Sequence, residues 1–488
     1  MSRLPHHGRP VAAIGMLCLA LGGCASSAGL EPATRPHEVD GHTVSRSLAG
    51  APLGDSAFPR QDWWRALGDG QLDALVEEAL EGSPSLDAAD ARLRKARAQA
   101  GLAGAARSPG LGASARYAVA QLPESLAGSG LGGELLHNAV LMLDFDWPLD
   151  VWGGKRAEYE AALGRARAAQ VDAQAARLAL AANVASTYVA LAQAFEAQDL
   201  ALREQQRSEH LLQLSRQRVE AGIDGAPSLR NAEGAVARAQ TQAEAARQQI
   251  LALRNSLAAL LGQGPDRGLD IARPHLLQAP APALPGVLPS ELLGHRPDIV
   301  AARWRVEAAA QGVRSARASF RPAIDLSGLV GLAAPGIADL FDGKAALGFA
   351  GPALSLPLFD AGARRSRLDA RTADYDLAVA AYNQGLVEAL REVTDAVQAI
   401  GSLQARERSL QEAHSAAATA LQLARSRYQA GIGSQLEVLA AQAPLLQAER
   451  QLAALRAQRY LAVIELDRAL GGGLSFDAPV ATASEPNS

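Results

Sequence analysis

Side chains able to do chemistry are sparse in this chain and poorly placed for catalysis. The nine histidines are scattered. There is no phosphate-cradling Gly-rich loop with its Lys, no Gly-x-Ser-x-Gly elbow and no His-Glu-x-x-His pair. His295 stands just before Pro297 and Asp298, where a local role at a helix start is the ordinary reading. No catalytic residue, metal site or cofactor is expected, and an enzyme is a distant third reading. The groups worth following are the thiol of Cys24, the Arg-x-x-x-Gly pairs Arg218 with Gly222 and Arg427 with Gly431, and Tyr428 and Glu437 beside the second pair. A helix that ends at Gly with a basic last turn satisfies its free carbonyls and its dipole. An acid just after such a turn suits the start of the next helix.

The first of these groups sits behind a leader. Arg3, His6, His7 and Arg9 give a basic start, and Val11 to Leu21 is a short apolar run. A charged start, a short apolar stretch and a small-residue site describe a secretory signal. The run is too short to span a bilayer, which needs about 20 apolar residues. Leu21-Gly22-Gly23-Cys24 resembles a bacterial lipobox. That resemblance implies removal of residues 1–23 and lipidation of Cys24 as the new first residue. A cysteine that merely follows a cleavage site is the plainer reading. Ala25, not Asp, comes next, which by the same resemblance implies sorting to the outer membrane. Cys18 is lost with the signal, so the mature chain has no disulfide and no Cys-based metal site.

Composition narrows the class. The formal net charge of −4 provides no basic field for nucleic acid. Ala, Leu, Gln and Arg crowd the chain and aromatics are only 4%, the composition of long, closely packed helices. At 488 residues, length alone suggests about three domains, but one extended architecture fits as well. No segment after the signal reads as a transmembrane helix. Spanning strands of alternating polarity would leave a much weaker hydropathy trace.

The chain is written twice. Ser83-Pro84-Ser85-Leu86 opens a helical stretch that ends at Ser108-Pro109-Gly110-Leu111, and Arg296-Pro297-Asp298-Ile299 opens one that ends at Arg321-Pro322-Ala323-Ile324. Trp147-Pro148-Leu149 matches Leu356-Pro357-Leu358, and Gly153-Gly154-Lys155-Arg156 matches Gly362-Ala363-Arg364-Arg365. Arg218 to Ile223 matches Arg427 to Ile432, and Leu261-Gly262 matches Leu470-Gly471. From Pro148 to Gly262 a single offset holds: 357 − 148 = 209 and 471 − 262 = 209. Matched alanines arise by chance between Ala-rich helices; Pro, Gly and Arg landmarks in one order at one offset do not.

These elements must position the groups named first. Residues 24–85 form the N-terminal segment that follows the lipobox. The first repeat, 86–262, holds strands at about 112–120 and 138–148, a long helix at about 154–221 and a return helix at about 228–262. A linker, 263–293, carries Pro274, Pro280, Pro282, Pro285 and Pro289. The second repeat, 294–471, holds strands at about 324–332 and 344–358, a long helix at about 362–430 and a return helix at about 436–470, before a tail at 472–488. Leu141, Leu143, Phe145 and Trp147 alternate with Met142, Asp144 and Asp146, the period of a strand with two unlike faces. Leu390, Val393, Val397 and Ile400 show coiled-coil spacing. Roughly 67 residues make a helix of about 100 Å, far beyond a compact domain. A medium helix of about 23 residues stacked on a return helix of about 35 would nearly match it.

Four strands cannot close a barrel alone, because lipid tolerates no open sheet edge. Strands must be pooled between subunits. Closed symmetry allows a dimer with about eight strands or a trimer with about twelve.

The duplicated strand hairpin and long-helix plan, with its Arg-x-x-x-Gly turns, resembles the TolC-like outer membrane factors. The lipobox points to the lipoprotein branch that serves resistance-nodulation-division (RND) pumps, the OprM-like or NodT-type proteins. The resemblance covers nearly the whole mature chain. It implies a fold that is mainly α with transmembrane β: a homotrimer whose twelve-stranded β-barrel continues into a periplasmic α-barrel, ringed by a small equatorial region that takes the lipidated segment 24–85, the linker 263–293 and the tail 472–488. It implies an efflux exit duct in the outer membrane, opened by a periplasmic adaptor and an inner-membrane RND pump. By the same resemblance, Arg218, Gly222, Arg427 and Gly431 mark tips that meet the adaptor. Glu437 lines the aperture and Tyr428 helps lock it, while the family's second acidic position falls on Ala440. The first tip, with Asp224, Pro227 and Ser228, is read as outer-facing. A lipid-anchored periplasmic spacer or adaptor is the alternative, although adaptors usually carry one helical hairpin rather than two.

Overall fold

The computed structural model describes residues 29–37, 46–48, 53–54, 58–121, 123, 125, 135–276, 284–285, 294–356 and 359–474. The signal, Cys24 and Ala25, the linker prolines Pro280, Pro282 and Pro289, and the tail beyond 474 lie outside the described residues.

After a short 3₁₀ turn at Trp63–Leu67 comes α1 (Gly70–Gly82), which the sequence pattern did not disclose. The first half then runs α2 (Pro84–Ala105), β1 (Gly110–Gln121), β2 (Leu135–Leu149), α3 (Gly154–Glu220) and α4 (Ala226–Leu260). A short α5 (Pro265–Leu269) follows. The second half runs α6 (Pro297–Ala318), β3 (Ala323–Ala334), β4 (Ala346–Ser355), α7 (Ala363–Gln429) and α8 (Gln435–Ala469). The two long helices have 67 residues each and the two return helices 35 each. Pro84 and Pro297 occupy the first helical position of α2 and α6, where the missing N–H has no intrahelical partner to lose. β1 and β2 extend past the alternating residues at both ends, because a backbone ladder does not need a two-faced pattern to continue. β4 is shorter than the Gly-rich segment suggested. An 18-residue window of α3 is long and apolar enough by composition to cross a membrane, with mean hydropathy 1.4, against the expectation of none. Half of that window is buried in protein, and Ala-rich packing surface accounts for its hydropathy.

The chain divides into two compact units. One holds 93–169 and 302–382 with the segment ending at Pro36. It contains the antiparallel sheet, in the order β1-β2-β3-β4, so the central pair joins the two halves of the chain. Pro352 lies in β4, an edge strand, where a missing ladder donor is tolerated. Its helices approach closely through small residues: a Cβ on Gly164 would come within 3.0 Å of Ala308. The N-terminal segment is strapped to α7, with the Thr34 N–H and hydroxyl donating to Asp376 Oδ1 at 2.9 and 2.7 Å. Leu30 packs beside Val313, Ala316 and Leu368.

The other unit holds 37–92, 170–301 and the chain from Asn383. Its main core gathers Trp63, Trp64, Leu72 and Leu75 against Val184, Tyr188, Leu191 and Leu257. The Tyr188 hydroxyl donates to Asp69 Oδ2 at 2.8 Å and accepts from Gln71 Nε2 at 2.7 Å, and burial pushes this phenol well above its usual range. The end of α4 abuts the start of α2, since a Cβ on Gly262 would meet the Gly82 carbonyl at 2.6 Å. The end of α8 abuts the start of α6 in the same way, with Gly471 against the His295 carbonyl. His295 itself stacks on Phe58, ring centroids 3.8 Å apart, and bonds the Leu474 carbonyl through Nδ1 at 2.8 Å.

Candidate functional site

The sheet register sorts side chains by polarity. Ala113, Leu143, Val330 and Gly348 form one row across all four strands, and Ala115, Leu141, Leu332 and Ala346 the next. Leu111, Phe145 and Trp147 share that face. The opposite face carries Ser114, Arg116, Asp144, Asp146, Asp325 and Ser327, interleaved with Val140, Met142, Leu329, Leu347 and Phe349. Gly112 leaves the Asp144 carboxylate its space: a Cβ there would lie 2.5 Å from it. In the single chain the apolar face is open, with Leu141, Leu143, Trp147 and Val330 all exposed. A sheet with one apolar face and its carboxylates on the other, and with no partner strand at either edge among the described residues, suits lipid on one side and water on the other.

The tips are two versions of one turn. Gly222 and Gly431 adopt φ of +72° and +74°, the left-handed region that favours glycine. At the first, Ile223 N–H and Asp224 N–H donate to the Arg218 carbonyl at 2.8 and 3.2 Å. At the second, Ile432 N–H and Gly433 N–H donate to the Arg427 carbonyl at 3.0 and 3.1 Å. Each turn presents a bare isoleucine, Ile223 at 63% and Ile432 at 71% exposure.

Their electrostatics differ. Arg218 grips Asp224 through Nε and Nη2 at 2.8 and 2.9 Å, and that hydrogen-bonded pairing holds the Asp224 carboxyl below its usual range. The offset of 209 puts Gly433 at the place of Asp224 (224 + 209 = 433). Arg427 therefore has no ion-pair partner among the described residues, and it is exposed beside an exposed Tyr428. The role of Asp224 as a partner for Arg218 was not foreseen; its six-residue spacing across a Gly turn was the available signal.

The helices that leave the turns also start differently. α4 begins after Gly225 with no side-chain cap. α8 begins after Ser434, whose Oγ accepts from the Glu437 N–H at 3.2 Å and donates to Glu437 Oε1 at 3.3 Å. Glu437 is thus an exposed acid of a helix-start cap, one turn beyond the tip. Cys24 lies outside the described residues.

The family model described as outer membrane efflux protein matches residues 75–263 and 288–472. The chain belongs to the outer membrane efflux protein family. The efflux protein is 36% identical over 361 residues to the fusaric acid resistance protein FusA of Burkholderia cepacia, covering 73% of this chain and 68% of that one. It is 33% identical over 472 residues to the pyoverdine export outer membrane protein OpmQ of Pseudomonas aeruginosa, covering 94% and 96%. Among solved structures it resembles the outer membrane protein VceC of Vibrio cholerae, with a TM-score of 0.78 and 37% identity over 85% of this chain and all of that one. The fold class expected from the sequence, long duplicated helices with membrane strands, is the fold of these channels. This efflux protein is an outer-membrane channel component, and the spacer alternative falls away.

Proposed function

We propose that the protein works as one third of a homotrimeric, lipid-anchored exit duct. Its aperture would be opened by a periplasmic adaptor and an inner-membrane RND pump. The observation that carries this reading is the four-stranded sheet with an open apolar face and no partner at either edge among the described residues. Three copies pool about twelve strands into one barrel with no edge left in lipid. Cys24 is the lipid attachment point, which fits a segment strapped along α7 from Leu30 onward. Arg218, Gly222, Arg427 and Gly431 shape the tips that receive the adaptor, and the exposed Ile223 and Ile432 offer it apolar contact. Glu437 lines the aperture, with three carboxylates around the axis drawing cations, and the exposed Tyr428 helps lock the tip. Conduction is passive and the cargo small; relatives named for fusaric acid resistance and pyoverdine export support small molecules selected upstream.

The test is the mass of the detergent-solubilised protein together with single-channel recording in planar bilayers. A trimer that conducts is expected, and a monomer without conductance would sink the proposal. Glu437→Ala should weaken cation preference; an unchanged preference would remove Glu437 from the aperture. Cys24→Ser should abolish fatty-acid labelling in cells.

A further inference from the structure

At the foot of the sheet, the ends of the strands, the first turns of α3 and α7 and the last turns of α6 enclose a cleft of 660 Å³. Its basic side chains are Lys155, Arg165, Arg321, Arg367 and Arg371. Its acids are Asp150, Glu158 and Asp325. Asp150 is occupied in capping α3, accepting from the N–H groups of Lys155 and Arg156 at 2.9 and 2.6 Å. Glu158 lies 3.9 Å from Lys155, and Arg371 is paired with Asp374 at 3.2 Å. Arg321 covers the Trp152 ring at 4.9 Å. Arg165 and Arg367 have no hydrogen-bonded or ion-paired partner among the described residues. Burial and the neighbouring charge of Arg371 both hold Arg165 below its usual range, with Glu158 opposing more weakly.

The cleft lies where the foot of the sheet meets the helices. Among its lining residues Pro148, Ala323, Asp325 and Ser355 belong to the polar face of the sheet, and Leu149 and Ile324 to the apolar one. The polar-face residues are the part that the channel reading turns toward water. Its charge comes from the second half: Arg367 replaces Glu158 and Arg371 replaces Ala162 at the 209-residue offset (158 + 209 = 367; 162 + 209 = 371).

We propose that this cleft is an anion-attracting site of the duct, in which Arg165, Arg367 and Arg371 transiently hold the carboxylate or phosphate groups of exported molecules at the floor of the barrel. The proposal rests on the channel reading above. Crowded guanidinium groups facing a confined aqueous space gain from an oxyanion shared between them, and repeated copies around a pore set its ion preference. A phospholipid headgroup offers the same oxyanion, and the test separates the two sources.

The experiment uses the purified full-length protein in planar bilayers under a KCl gradient, with citrate added as the oxyanion probe. In Arg165→Gln/Arg367→Gln/Arg371→Gln, the chloride-to-potassium permeability ratio should fall at least about threefold, and block by citrate should weaken at least about tenfold. The triple Lys variant should keep both, which controls for folding. A Gln variant of normal trimer mass with unchanged permeability ratio and unchanged block overturns the proposal. Unchanged block together with loss of a phosphatidylglycerol that copurifies with the wild type also overturns it, assigning the site to lipid. A wild-type trimer that conducts nothing overturns the channel reading itself.

Discussion

The two halves share a plan but not their stabilising chemistry. Where α4 meets α2, Ser83 and Ser85 make one hydroxyl contact at 2.9 Å. Where α8 meets α6, the equivalent of Ser83 is Arg296, whose side chain is 5% exposed. Arg296 binds Asp298 at 3.0 and 2.6 Å, Glu392 at 2.9 Å and the Ala469 carbonyl at 3.2 Å. One guanidinium thus ties the starts or ends of two helices to a third. Duplication copied the geometry, and divergence chose where to place charge: an ion network at one junction, an ion pair at the opposite tip.

The largest expected effect lies at that junction. Arg296→Met removes the buried cation that Glu392 and Asp298 share; since Glu392 keeps Arg468 at 3.3 Å and Asp298 is half exposed, the change should destabilise the protein by about 2 kcal/mol, chiefly through the lost hydrogen bonds of a charged group. Ser83→Ala, the matching change in the first half, should cost about 1 kcal/mol. Urea unfolding in detergent measures both, and equal losses would erase the contrast.

The next effect is in pH. Burial pushes Asp467 up to about 7, while its counterpart at the 209-residue offset is the fully buried Ala258 (258 + 209 = 467). A carboxyl raised in the folded state gives stability that is complete below its unfolded value, near 4, and lost as pH rises through about 7. Asp467→Asn should therefore be more stable than the wild type at pH 8 and should flatten the pH profile between about 4 and 7. A variant with an undiminished slope would place the pH dependence elsewhere.

Smaller effects belong to the tips. Gly222→Ala and Gly431→Ala should each loosen their turn by about 1 kcal/mol, because both force a side chain into the left-handed region. Hydrogen exchange at Ile223 and Ile432 should rise by similar factors; a rise at one tip only would show that the turns are not equivalent in solution. Asp224→Asn should speed exchange at the first tip alone and leave global unfolding unchanged, as befits an exposed pair. Salt should produce the same local change in the wild type, and none in the variant.

Much of the fold was legible. Pro84, Pro297, Gly222 and Gly431 mark helix starts and stops through local backbone rules, and element limits read from them fall within a few residues of those observed. The alternation from Leu141 to Trp147 disclosed the membrane face, since period two needs no partner to be seen. The helix α1 and its core were not legible. Its residues find their partners far along the chain: Asp69 meets Tyr188 across 119 positions. Glu437 was legible as an acid after a turn, and the Ser-x-x-Glu spacing from Ser434 was the available signal for the cap the two residues form.

By itself the sequence determined the duplication, the two-faced strands, the long helices and the glycine turns, because each follows from residue spacing along a short stretch of backbone. Only the tertiary structure decided that β2 pairs with β3 across the two halves, that Arg296 closes one junction, and that three arginines from two helices crowd one cleft. Those outcomes depend on which helix faces come together, and packing, unlike periodicity, is a property of distant segments acting jointly.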